Sequence, residues 1–431
     1  MARIECIRWW RYAIPFRLPF YTAHGVLTQR EGVLLQATTD EGRSGWGEIA
    51  PLPGFGGSLE KSWRLLPAMA ELLLGWDGAL VPLTNGDEET NRWPGNAPPQ
   101  PLLSKLERGL SAARAGSRRL TVPLLAPAGE RGETLRPCSA AHRQGIWSDM
   151  PAALRSGVET AVGDLRAQAA SCTLAALLTP QPAMTVPVNA TVGAADTAGA
   201  VKQAALAVAA GFATIKLKVG LGASIGAEVE RVAAVREAIG PNLQLRLDAN
   251  EAWTSEMAIE IIRAYAPYRV EWVEQPVAAV DVAGLARARR AVETPIAADE
   301  SVTGEEAVQA LLAAEAADVL ILKPMLAGGP AATQRLAALA AAAGVSAIVT
   351  STLETGIGLA AAVHAAAALP PPLRACGLAT AALLESDLLE QPLPIVDGQM
   401  RRPETAGLGV QVNWQRLRNY TTAIGEVGLK R

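Results

Sequence analysis

Residues 213–219 read ATIKLKV and residues 243–250 read LQLRLDAN, and these two segments decide the fold. Each is a short, strongly apolar run interrupted by charged residues, and Ala-, Val- and Glu-rich sequence of helical pattern separates them. Short buried strands that alternate with helices are typical of repeated βα units around a parallel sheet. The two segments therefore predict an α/β fold in which successive strands run in the same direction.

The same texture extends along the chain on both sides of this pair. The full set of strand candidates is 186–190, 213–219, 243–248, 270–274, 295–298, 318–323, 345–350 and 373–377. Eight strands within about 190 residues are typical of a (β/α) barrel rather than of an open sheet. We therefore expect a TIM-like barrel over residues 184–384.

Charged residues recur near the ends of these strand candidates. Lys218, Asp248, Glu274, Asp299 and Lys323 follow one another at intervals of 24 to 30 residues, which is one βα unit each. All strands of such a barrel end at one mouth, where barrel active sites form. We therefore expect these side chains to face one another across a single pocket.

The acidic members of this set predict a cation site. Asp248, Glu274 and Asp299 would repel one another and lose hydration at a barrel mouth unless a divalent cation binds their oxygen atoms. Ligands that are all oxygen, without His or Cys, favour Mg²⁺ over zinc. A single Asp after a strand is usually a solvated loop charge or a helix N-cap, but that explanation does not suit a whole set in register.

The lysines add an acid–base function to this site. Lys216 and Lys218 alternate along one strand, so their side chains point to the same side. An ammonium group beside another ammonium and a divalent cation has a lowered pKa, which suits a general base. Lys323, four strands further on, should reach the substrate from the other side. The predicted chemistry is removal of a proton α to a carboxylate, with cations stabilising the enediolate.

The sequence before the barrel is organised differently. Residues 3–12, 31–39 and 44–49 predict an antiparallel meander, and helical patterns follow at 58–74 and 151–178. The predicted domains are an α+β capping domain, which carries a Pro-, Gly- and Arg-rich insertion of unknown role, the barrel, and a C-terminal segment that returns to the cap. Their ranges are 1–183, with the insertion at about 85–149, then 184–384 and 385–431.

Composition excludes several classes of protein. The chain has 431 residues, 50% of them hydrophobic and 19% charged, and a formal charge of −3. This balance argues against disorder and gives no reason to expect a nucleic-acid or membrane partner. The four cysteines form no CxxC pair, and the first residues do not read as a signal peptide, so we expect a cytoplasmic protein with reduced thiols.

One glycine motif competes with this interpretation. Gly220, Gly222 and Gly226 follow a strand candidate and precede a helix, which imitates a dinucleotide-binding fingerprint. The spacing is GxGxxxG rather than GxGxxG. A dinucleotide fold would also leave the acids and lysines of the strand ends without a purpose, so we do not favour it.

The motifs KLK, LDAN, EQP, ADES and LKP, in this order, resemble those of the enolase superfamily in its muconate-lactonizing subgroup. Within that subgroup, LRLDANEAW, VLILKPMLAGG and TSTLETGIGLAAAVHAAAAL are most similar to the o-succinylbenzoate synthases. The resemblance implies a (β/α)7β barrel with a cap built from the N-terminal region and the C-terminal tail. It also implies a carbon–oxygen lyase, a Mg²⁺-dependent dehydratase that makes 2-succinylbenzoate in menaquinone or phylloquinone biosynthesis.

The same resemblance implies roles for single residues. Lys218 would take the α-proton and return it to the leaving hydroxyl, Lys323 would hold its ammonium against the enediolate, and Lys216 would support Lys218. The residues that would bind Mg²⁺, or Mn²⁺ in its place, are Asp248, Glu274 and Asp299. The residues that would contact the small-molecule carboxylate substrate are Arg246, Asn250, Ser351 and Thr352.

Several alternatives stay open at this point. Relatives with two such lysines racemise N-succinylamino acids, cycloisomerise muconate or epimerise dipeptides, because an enediolate can collapse in several ways. Dipeptide epimerases typically carry a DxD pair on the eighth strand, where this chain has RACGLAT at 374–380. The missing pair argues against a dipeptide epimerase. A non-catalytic barrel kept for binding or scaffolding is the alternative outside enzymes. The oligomeric state is not predicted.

A loop of the cap that closes over the mouth usually tunes specificity in this superfamily. Here that loop would run from about Pro15 to Arg30. Its ring side chains either shield the substrate from water or pack the cap's own core; they are Phe16, Phe20, Tyr21 and His24. No chemistry is assigned to the three histidines, because their positions share no metal-ligand spacing; they are His24, His142 and His364.

Overall fold

The computed structural model describes residues 2–22, 25–52, 54–55, 57–75, 150–222 and 224–429. Residues 1–85 and 151–431 form one compact unit, and residues 86–150 form a second. The insertion predicted at about 85–149 lies outside the described residues, as does His142 within it. The domain boundaries predicted at 183 and 384 stay predictions, because both fall inside the first unit.

Strands and helices of the first unit alternate through most of its length. The strands are β1 (Ile4–Thr22), β2 (Gly25–Thr39), β3 (Ser44–Ile49), β4 (Thr185–Pro187), β5 (Ala190–Val192), β6 (Thr214–Lys218), β7 (Gln244–Asp248), β8 (Val270–Glu274), β9 (Ile296–Ala298), β10 (Val319–Leu322), β11 (Ser346–Val349), β12 (Ile395–Val396), β13 (Gln399–Arg401) and β14 (Thr421–Gly428). The helices are α1 (Leu59–Leu73), α2 (Ala152–Ala169), α3 (Leu174–Leu178), α4 (Thr197–Ala209), α5 (Ile225–Ile239), α6 (Ser255–Ala264), α7 (Val282–Ala291), α8 (Glu305–Ala313), α9 (Pro324–Ala327), α10 (Pro330–Ala342), α11 (Gly356–Ala367) and α12 (Trp414–Tyr420).

The barrel sheet consists of seven parallel strands in chain order, from β5 to β11. Each strand pairs with the next one along the chain, and the connection between them contains a helix. The apolar runs separated by helical sequence predict this arrangement. Side chains of the strands and the inner faces of the helices form one large apolar cluster, in which Ile215, Leu247 and Ile321 are fully or almost fully buried. The predicted fold class, a (β/α)7β barrel with an α+β cap, is confirmed.

Two of the eight predicted barrel strands differ from the structure. The run at 186–190 is divided between β4, which pairs with β13 in a separate small sheet, and β5, which begins the barrel. The run at 373–377 makes only single bridges, from Cys376 to Val188 and from Gly377 to Thr350. These bridges still join the first and last edges of the sheet, so they take the place of an eighth strand.

The cap is a four-stranded antiparallel sheet in the order β14–β1–β2–β3. β1 and β2 are longer than the sequence predicts, because their pairing continues to Thr22 and Gly25. The predicted loop from Pro15 to Arg30 is therefore wrong as a loop: it is the far part of a β-hairpin. Its strands were missed because Pro15 and Pro19 interrupt the β pattern, and the pairing has an irregularity between Pro15 and Phe20.

The ring side chains of this hairpin pack within the cap where the structure describes them. Phe16 is buried in the apolar cluster beneath the cap sheet, together with Leu384, and its ring stacks on Phe20 at 5.6 Å between centroids. The side chain of Tyr21 and the whole of His24 lie outside the described residues. Phe16 therefore contributes to the cap's own core, the second of the two roles expected for it.

Helix α2 joins the cap sheet to the barrel at very short range. A Cβ atom at Gly47 on β3 would lie 1.8 Å from the carbonyl oxygen of Gly157 on α2. Asp164 of α2 accepts a hydrogen bond from the backbone N–H of Trp46 at 2.9 Å and another from Leu408 at 2.9 Å. The close approach depends on glycine at both contact positions, and it anchors α2 to the sheet.

Among the helices of the described residues, none combines the length and the apolar character that a bilayer-spanning segment requires.

Candidate active site

Three of the predicted site residues lie side by side on neighbouring strands. Lys218 on β6 pairs with Asp248 on β7, and Asp248 pairs with Glu274 on β8. All three are the last residues of their strands, so they share one level at the C-terminal end of the barrel. Asp299 comes directly after β9, and Lys323 comes directly after β10. The regular spacing of the βα units thus places these charges around one ring.

Asp248 is the centre of this ring. Its Oδ2 atom accepts hydrogen bonds from the Nζ atoms of Lys216 and Lys218, each at 2.7 Å. Lys216 also donates to Glu274 Oε1 at 2.5 Å, and Lys218 donates to Asn250 Oδ1 at 2.6 Å. The side chain of Asp248 has no exposed surface, whereas that of Lys218 is 26% exposed. Lys218 is therefore the ammonium of this pair that faces the mouth.

The buried ion pairs shift the pKa values of their members. Burial by itself raises the pKa of Asp248, but the two lysine ammonium groups outweigh burial and hold it well below the usual range. Burial likewise lowers the pKa of Lys216, but Asp248 and Glu274 outweigh burial and raise it above the ordinary lysine value. Two carboxylates are thus the nearest charged neighbours of Lys216, and the lowered lysine pKa expected beside a bound divalent cation stays a prediction.

Lys323 lies on the other side of the ring and is almost completely buried. Its Nζ atom donates a hydrogen bond to Asp299 Oδ1 and lies 4.3 Å from the centre of the Phe55 ring. Burial, opposed by the carboxylate of Glu274, lowers the pKa of Lys323 to about 7. Phe55 comes from the cap, so the cap supplies an apolar cover for this ammonium group.

Glu300 adds a fourth carboxylate to the site. It belongs to the motif ADES, but the sequence analysis gives it no role. Asn250 donates from Nδ2 to Glu300 Oε1 at 2.9 Å, and the Oε2 atom is buried without a hydrogen-bond partner. Burial and the nearby charge of Asp248 raise the pKa of Glu300 to about 7. The only sequence signal for Glu300 is its position beside the predicted ligand Asp299, and that position does not predict its burial.

The donor set fits a hard divalent cation by its chemistry. Asp248, Glu274 and Asp299 offer carboxylate oxygens on three consecutive βα units, which is the ligand type that Mg²⁺ prefers. In the described part of the chain, no three acidic, histidine or cysteine side chains are grouped as a ready ligand set, because lysine ammonium groups occupy the positions between these carboxylates. The same carboxylates that would hold a cation thus form ion pairs with Lys216, Lys218 and Lys323.

Arg246 does not reach the ring of charges. Its side chain lies two residues earlier on β7, in the layer below Asp248, and stacks on Trp272 at 3.8 Å. It donates from Nε to Glu271 at 2.7 Å and from Nη1 to the carbonyl oxygen of Ala375. A contact between Arg246 and substrate stays a prediction that these bonds do not support.

Ser351 and Thr352 follow β11 at the same end of the barrel and are also hydrogen-bonded. Ser351 Oγ lies 2.7 Å from the hydroxyl oxygen of Thr380 and accepts from the N–H of Leu353. Thr352 donates its hydroxyl to Glu354. Their side chains make no bond to the lysines or carboxylates of the ring among the described residues, so substrate contact stays a prediction here too.

The glycine motif has a structural explanation. Glu228 on α5 accepts hydrogen bonds from the backbone N–H groups of Gly220 and Leu221, and a Cβ atom at Gly222 would lie 2.6 Å from its carboxylate. Arg231, one turn further, donates to the carbonyl oxygen of Lys218 at 2.6 Å. The glycines thus make room for a carboxylate of the protein itself and not for a pyrophosphate.

His364 has no exposed surface and no place in the ring of charges. Its Nδ1 atom accepts from the N–H of Ala175 at 3.3 Å, and Nε2 lies 3.1 Å from the carbonyl oxygen of Leu408. Burial lowers the pKa of His364 to about 4. These bonds suit a neutral imidazole that joins α11 to two other segments, in agreement with the absence of an assigned chemical role.

Comparison with known proteins agrees with this geometry. A family model described as "Enolase C-terminal domain-like" matches residues 199–416, half of the chain, and "MenC, N-terminal domain" matches residues 4–91. The chain belongs to the enolase superfamily. The match covers the strands that carry the lysines and carboxylates, so the superfamily assignment includes the candidate site.

Two relatives in the superfamily give the sequence similarity a scale. The chain is 46% identical over 215 residues to o-succinylbenzoate synthase of Thermobifida fusca (strain YX), which covers 50% of this chain and 65% of that one. It therefore spans less than two thirds of that relative's length. It is 32% identical over 270 residues to chloromuconate cycloisomerase CbnB of Cupriavidus necator, covering 62% of this chain and 73% of that one.

One solved structure of the superfamily covers nearly the whole chain. A dipeptide epimerase from Enterococcus faecalis V583, complexed with Mg and the dipeptide L-Leu-L-Tyr, matches with a TM-score of 0.74 and 26% identity. The match covers 95% of this chain and 99% of the epimerase. Superfamily members with different reactions thus share this fold, and the fold alone does not choose between them.

Proposed function

We propose that this chain is an o-succinylbenzoate synthase, a carbon–oxygen lyase that dehydrates 2-succinyl-6-hydroxy-2,4-cyclohexadiene-1-carboxylate to 2-succinylbenzoate. The observation that carries the proposal is the placement of Lys218 and Lys323 on strands four apart, facing a ring of carboxylates. The 46% identity to a relative of that name supports this substrate over others. On this proposal the chain serves menaquinone or phylloquinone biosynthesis in the cytoplasm.

The proposed reaction needs a base, a cationic wall and an acid. Lys218 Nζ, in its neutral form, removes the proton from C1 of the substrate, and the electron pair of that C–H bond moves into the carboxylate to give an enediolate. The enediolate then collapses, the bond from C6 to the hydroxyl oxygen breaks, and the ring becomes aromatic. Lys218 returns its proton to the departing hydroxyl, so the balance is the loss of one water molecule.

Lys323 has a different part in this proposal. It is 5% exposed and covered by Phe55, and it follows β10, which is four strands from the β6 strand of Lys218 in the sheet. An ammonium group held in a site from which water is largely excluded stabilises charge that develops on the substrate more strongly than it would in water. In its protonated form, which the ion pair with Asp299 favours, Lys323 therefore holds the enediolate oxygens, while Lys218 moves the proton.

We also propose Mg²⁺ as the metal of this site, with Mn²⁺ as a substitute. Asp248, Glu274 and Asp299 would hold it. When bound, it supplies Lewis-acid stabilisation of negative charge on the substrate carboxylate. The epimerase whose structure matches this chain was obtained in complex with Mg, which supports the assignment by analogy.

Racemisation or epimerisation is the main competing reaction, since it begins with the same proton removal. A racemase needs the second lysine to deliver a proton to the opposite face, whereas the dehydratase needs only one lysine to move protons. Residues 374–380, RACGLAT, hold no acidic pair that could grip a substrate ammonium. This absence of a carboxylate favours a substrate without an ammonium group, such as the cyclohexadiene.

The test is a spectrophotometric assay of the purified chain with the cyclohexadiene substrate, in Mg²⁺ and in excess EDTA, that follows the aromatic product. Fast conversion that EDTA abolishes is the expected result. No conversion by folded protein would overturn the dehydratase proposal. Deuterium exchange at the α-carbon of N-succinylamino acids would then separate a racemase, which exchanges, from a binding or scaffold protein, which does not.

A further inference from the structure

Arg30 on β2 uses its whole guanidinium group to bind main-chain carbonyl oxygens. Nε donates to Leu353 at 3.1 Å, Nη1 donates to Glu31 at 3.0 Å and to Pro51 at 2.9 Å, and Nη2 donates to Ala50 and to Thr352. An arginine has five N–H donors, and all five are used here. The side chain is buried, with 3% of its surface exposed.

The first segment that Arg30 binds belongs to the cap. We call residues 50–52 and 54–55 the cap wall, because this segment begins at Ala50 and carries Phe55 onto the ammonium group of Lys323. The N–H of Ala50 also points to the sulfur of Met325, two residues after Lys323, at 3.3 Å. The position of the cap wall therefore determines how Lys323 is covered.

The second segment belongs to the barrel. We call residues 351–355 the barrel wall, because it follows β11 at the mouth and contains two predicted substrate contacts. Leu353 has a φ of 64°, a left-handed conformation that is uncommon for a residue other than glycine. Its neighbours are held by local bonds, from the hydroxyl of Thr352 to Glu354 and from the N–H of Leu353 to Ser351. Arg30 binds the two carbonyl oxygens of this unusual turn.

Glu48 fixes the far end of the barrel wall from the neighbouring strand. Its carboxylate accepts from the N–H of Thr355 at 2.8 Å, from the hydroxyl of Thr355 at 2.7 Å and from the N–H of Gly358 at 2.8 Å. Tyr12 donates to it at 2.5 Å. The start of α11 is thus held by β3 while the preceding turn is held by β2, so the cap fixes the barrel wall at two points.

A guanidinium group is needed for these contacts because of its geometry and not only its charge. A lysine has three donors at one point and cannot reach five carbonyl oxygens in three chain segments. Removing Arg30 leaves buried carbonyl oxygens without partners, and the two walls can then separate or shift.

We infer that Arg30 is a positioning residue that sets the distance between the cap wall and the barrel wall, and through it the fit of the substrate between Lys323 and Ser351. This inference rests on the proposed function for the identity of the substrate. Its structural part, a tie between two walls of the mouth, is independent of which reaction the site performs.

Arg236 provides a matched control at the other end of the barrel. It lies on α5 before the start of β7, and its guanidinium donates to the carbonyl oxygens of Gly240, Leu243, Tyr268 and Arg269. Arg236→Met therefore removes a comparable set of backbone contacts far from the mouth. Arg30→Met and Arg30→Lys remove the tie at the mouth, and the lysine variant keeps the positive charge.

The experiment combines steady-state kinetics on the cyclohexadiene substrate with amide hydrogen exchange of the full chain. We expect both Arg30 variants to raise KM about tenfold or more while kcat falls less than about threefold, because the walls bind the substrate but do not move the proton. Peptides covering the two walls should exchange faster in both variants, and Arg236→Met should leave KM and those peptides unchanged.

Two outcomes would overturn the inference. One is unchanged exchange of the two walls in the Arg30 variants, and the other is an equal effect of Arg236→Met on KM, which would mean that loss of stability alone is responsible. If wild-type protein does not convert the substrate, the proposed function fails while the exchange experiment still decides on the tie. If Arg30→Met does not fold, Arg30→Lys answers the same question, since it keeps the positive charge but cannot bind the carbonyl oxygens of both walls.

Discussion

At the scale of single residues, the two lysines of β6 differ although their sequence context, KLK, is symmetrical. Lys216 is enclosed between Asp248 and Glu274, and its raised pKa keeps it charged. Lys218 pairs with one carboxylate, Asp248, and with the amide oxygen of Asn250, and it is partly open to the mouth. The proposed function therefore assigns the proton transfer to Lys218, which reaches the mouth, and a supporting role to Lys216, which stays charged between two carboxylates.

Lys218→Ala should lower kcat by about 10²- to 10⁴-fold, the range that a positioned general base contributes. The fold should survive, because Asp248 keeps its bond to Lys216. Stopped assays with the cyclohexadiene substrate measure the loss, and circular dichroism checks the fold. Lys202→Ala, on the exposed side of α4, is the matched control and should keep full activity. Turnover near the wild-type value in Lys218→Ala would remove the base assignment.

Asp248→Asn should weaken Mg²⁺ binding about tenfold or more, because a neutral amide replaces the carboxylate nearest the centre of the ring. Isothermal titration calorimetry of the purified chain with MgCl₂ measures this directly, without reference to activity. Asp318→Asn is the control, since Asp318 precedes β10 at the opposite end of the strands and pairs with Arg289. Equal Mg²⁺ affinity in the two variants would show that the metal binds elsewhere.

The sequence predicts the ring itself because the interval between charged residues equals the βα repeat. That interval places Lys218, Asp248 and Glu274 at one level without any knowledge of loops. It does not predict that Arg246 turns to Glu271, nor that Phe55 covers Lys323, since both contacts join elements whose relative position depends on packing. Arg30 was hidden for the same reason: it lay at the edge of a predicted loop.

At the scale of elements, α11 is held at both of its ends by buried polar contacts. Glu48 binds its first turn, and His364 in its last turn connects it to Ala175 and Leu408. A helix composed largely of alanine has few side chains that could specify its position by shape. These polar contacts therefore provide the specificity that alanine packing lacks.

Acid should destabilise the protein through His364. Its folded-state pKa of about 4 lies below the ordinary value of 6.5, so between these values the unfolded chain binds a proton that the folded chain does not. The contribution of His364 to the free energy of unfolding is fully present above pH 6.5. It is lost as the pH is lowered toward 4, and the loss reaches about 3 kcal/mol.

His364→Gln should reduce this pH dependence, because the amide can replace both hydrogen bonds and does not titrate. Urea denaturation at several values between pH 4 and pH 7 gives the free energy of unfolding for both proteins. The difference between wild type and variant should change with pH in favour of the variant at low pH. Parallel curves over that interval would mean that His364 does not carry the effect.

Two elements show why strand prediction was incomplete. The predicted eighth strand, 373–377, forms only bridges, since the carbonyl oxygen of Ala375 is bound by the side chain of Arg246 instead of a neighbouring strand. The long hairpin of β1 and β2 was predicted only in its inner half, where the apolar pattern alternates regularly. In both cases the deciding partner is distant in sequence, and a local pattern contains no information about it.

At the scale of the whole molecule, the cap and barrel belong to one compact unit, while residues 86–150 form another. The residues of the ring and of both walls all belong to the first unit.

Replacing residues 86–149 with a short Gly/Ser linker should leave kcat/KM within about threefold of the wild-type value, because the described contacts of the ring and of both walls all join residues of the first unit and the cost of closing a loop depends weakly on its length. The assay with the cyclohexadiene substrate measures the effect. Linkers of two lengths serve as controls for strain at the junction. A folded deletion variant that has lost activity would show that the insertion builds part of the site.

The pairing of β1 with β14 has a consequence for how the protein is made. Cys6 of β1 lies opposite Gly428 of β14. The paired strands are far apart along the chain, and the whole barrel lies between them in the sequence. Contacts of such long range form late and slow folding. During synthesis the edge of β1 stays open until the ribosome has released the last strand, and an open edge is a template for association between chains. Chaperone binding to nascent chains should therefore persist until β14 emerges.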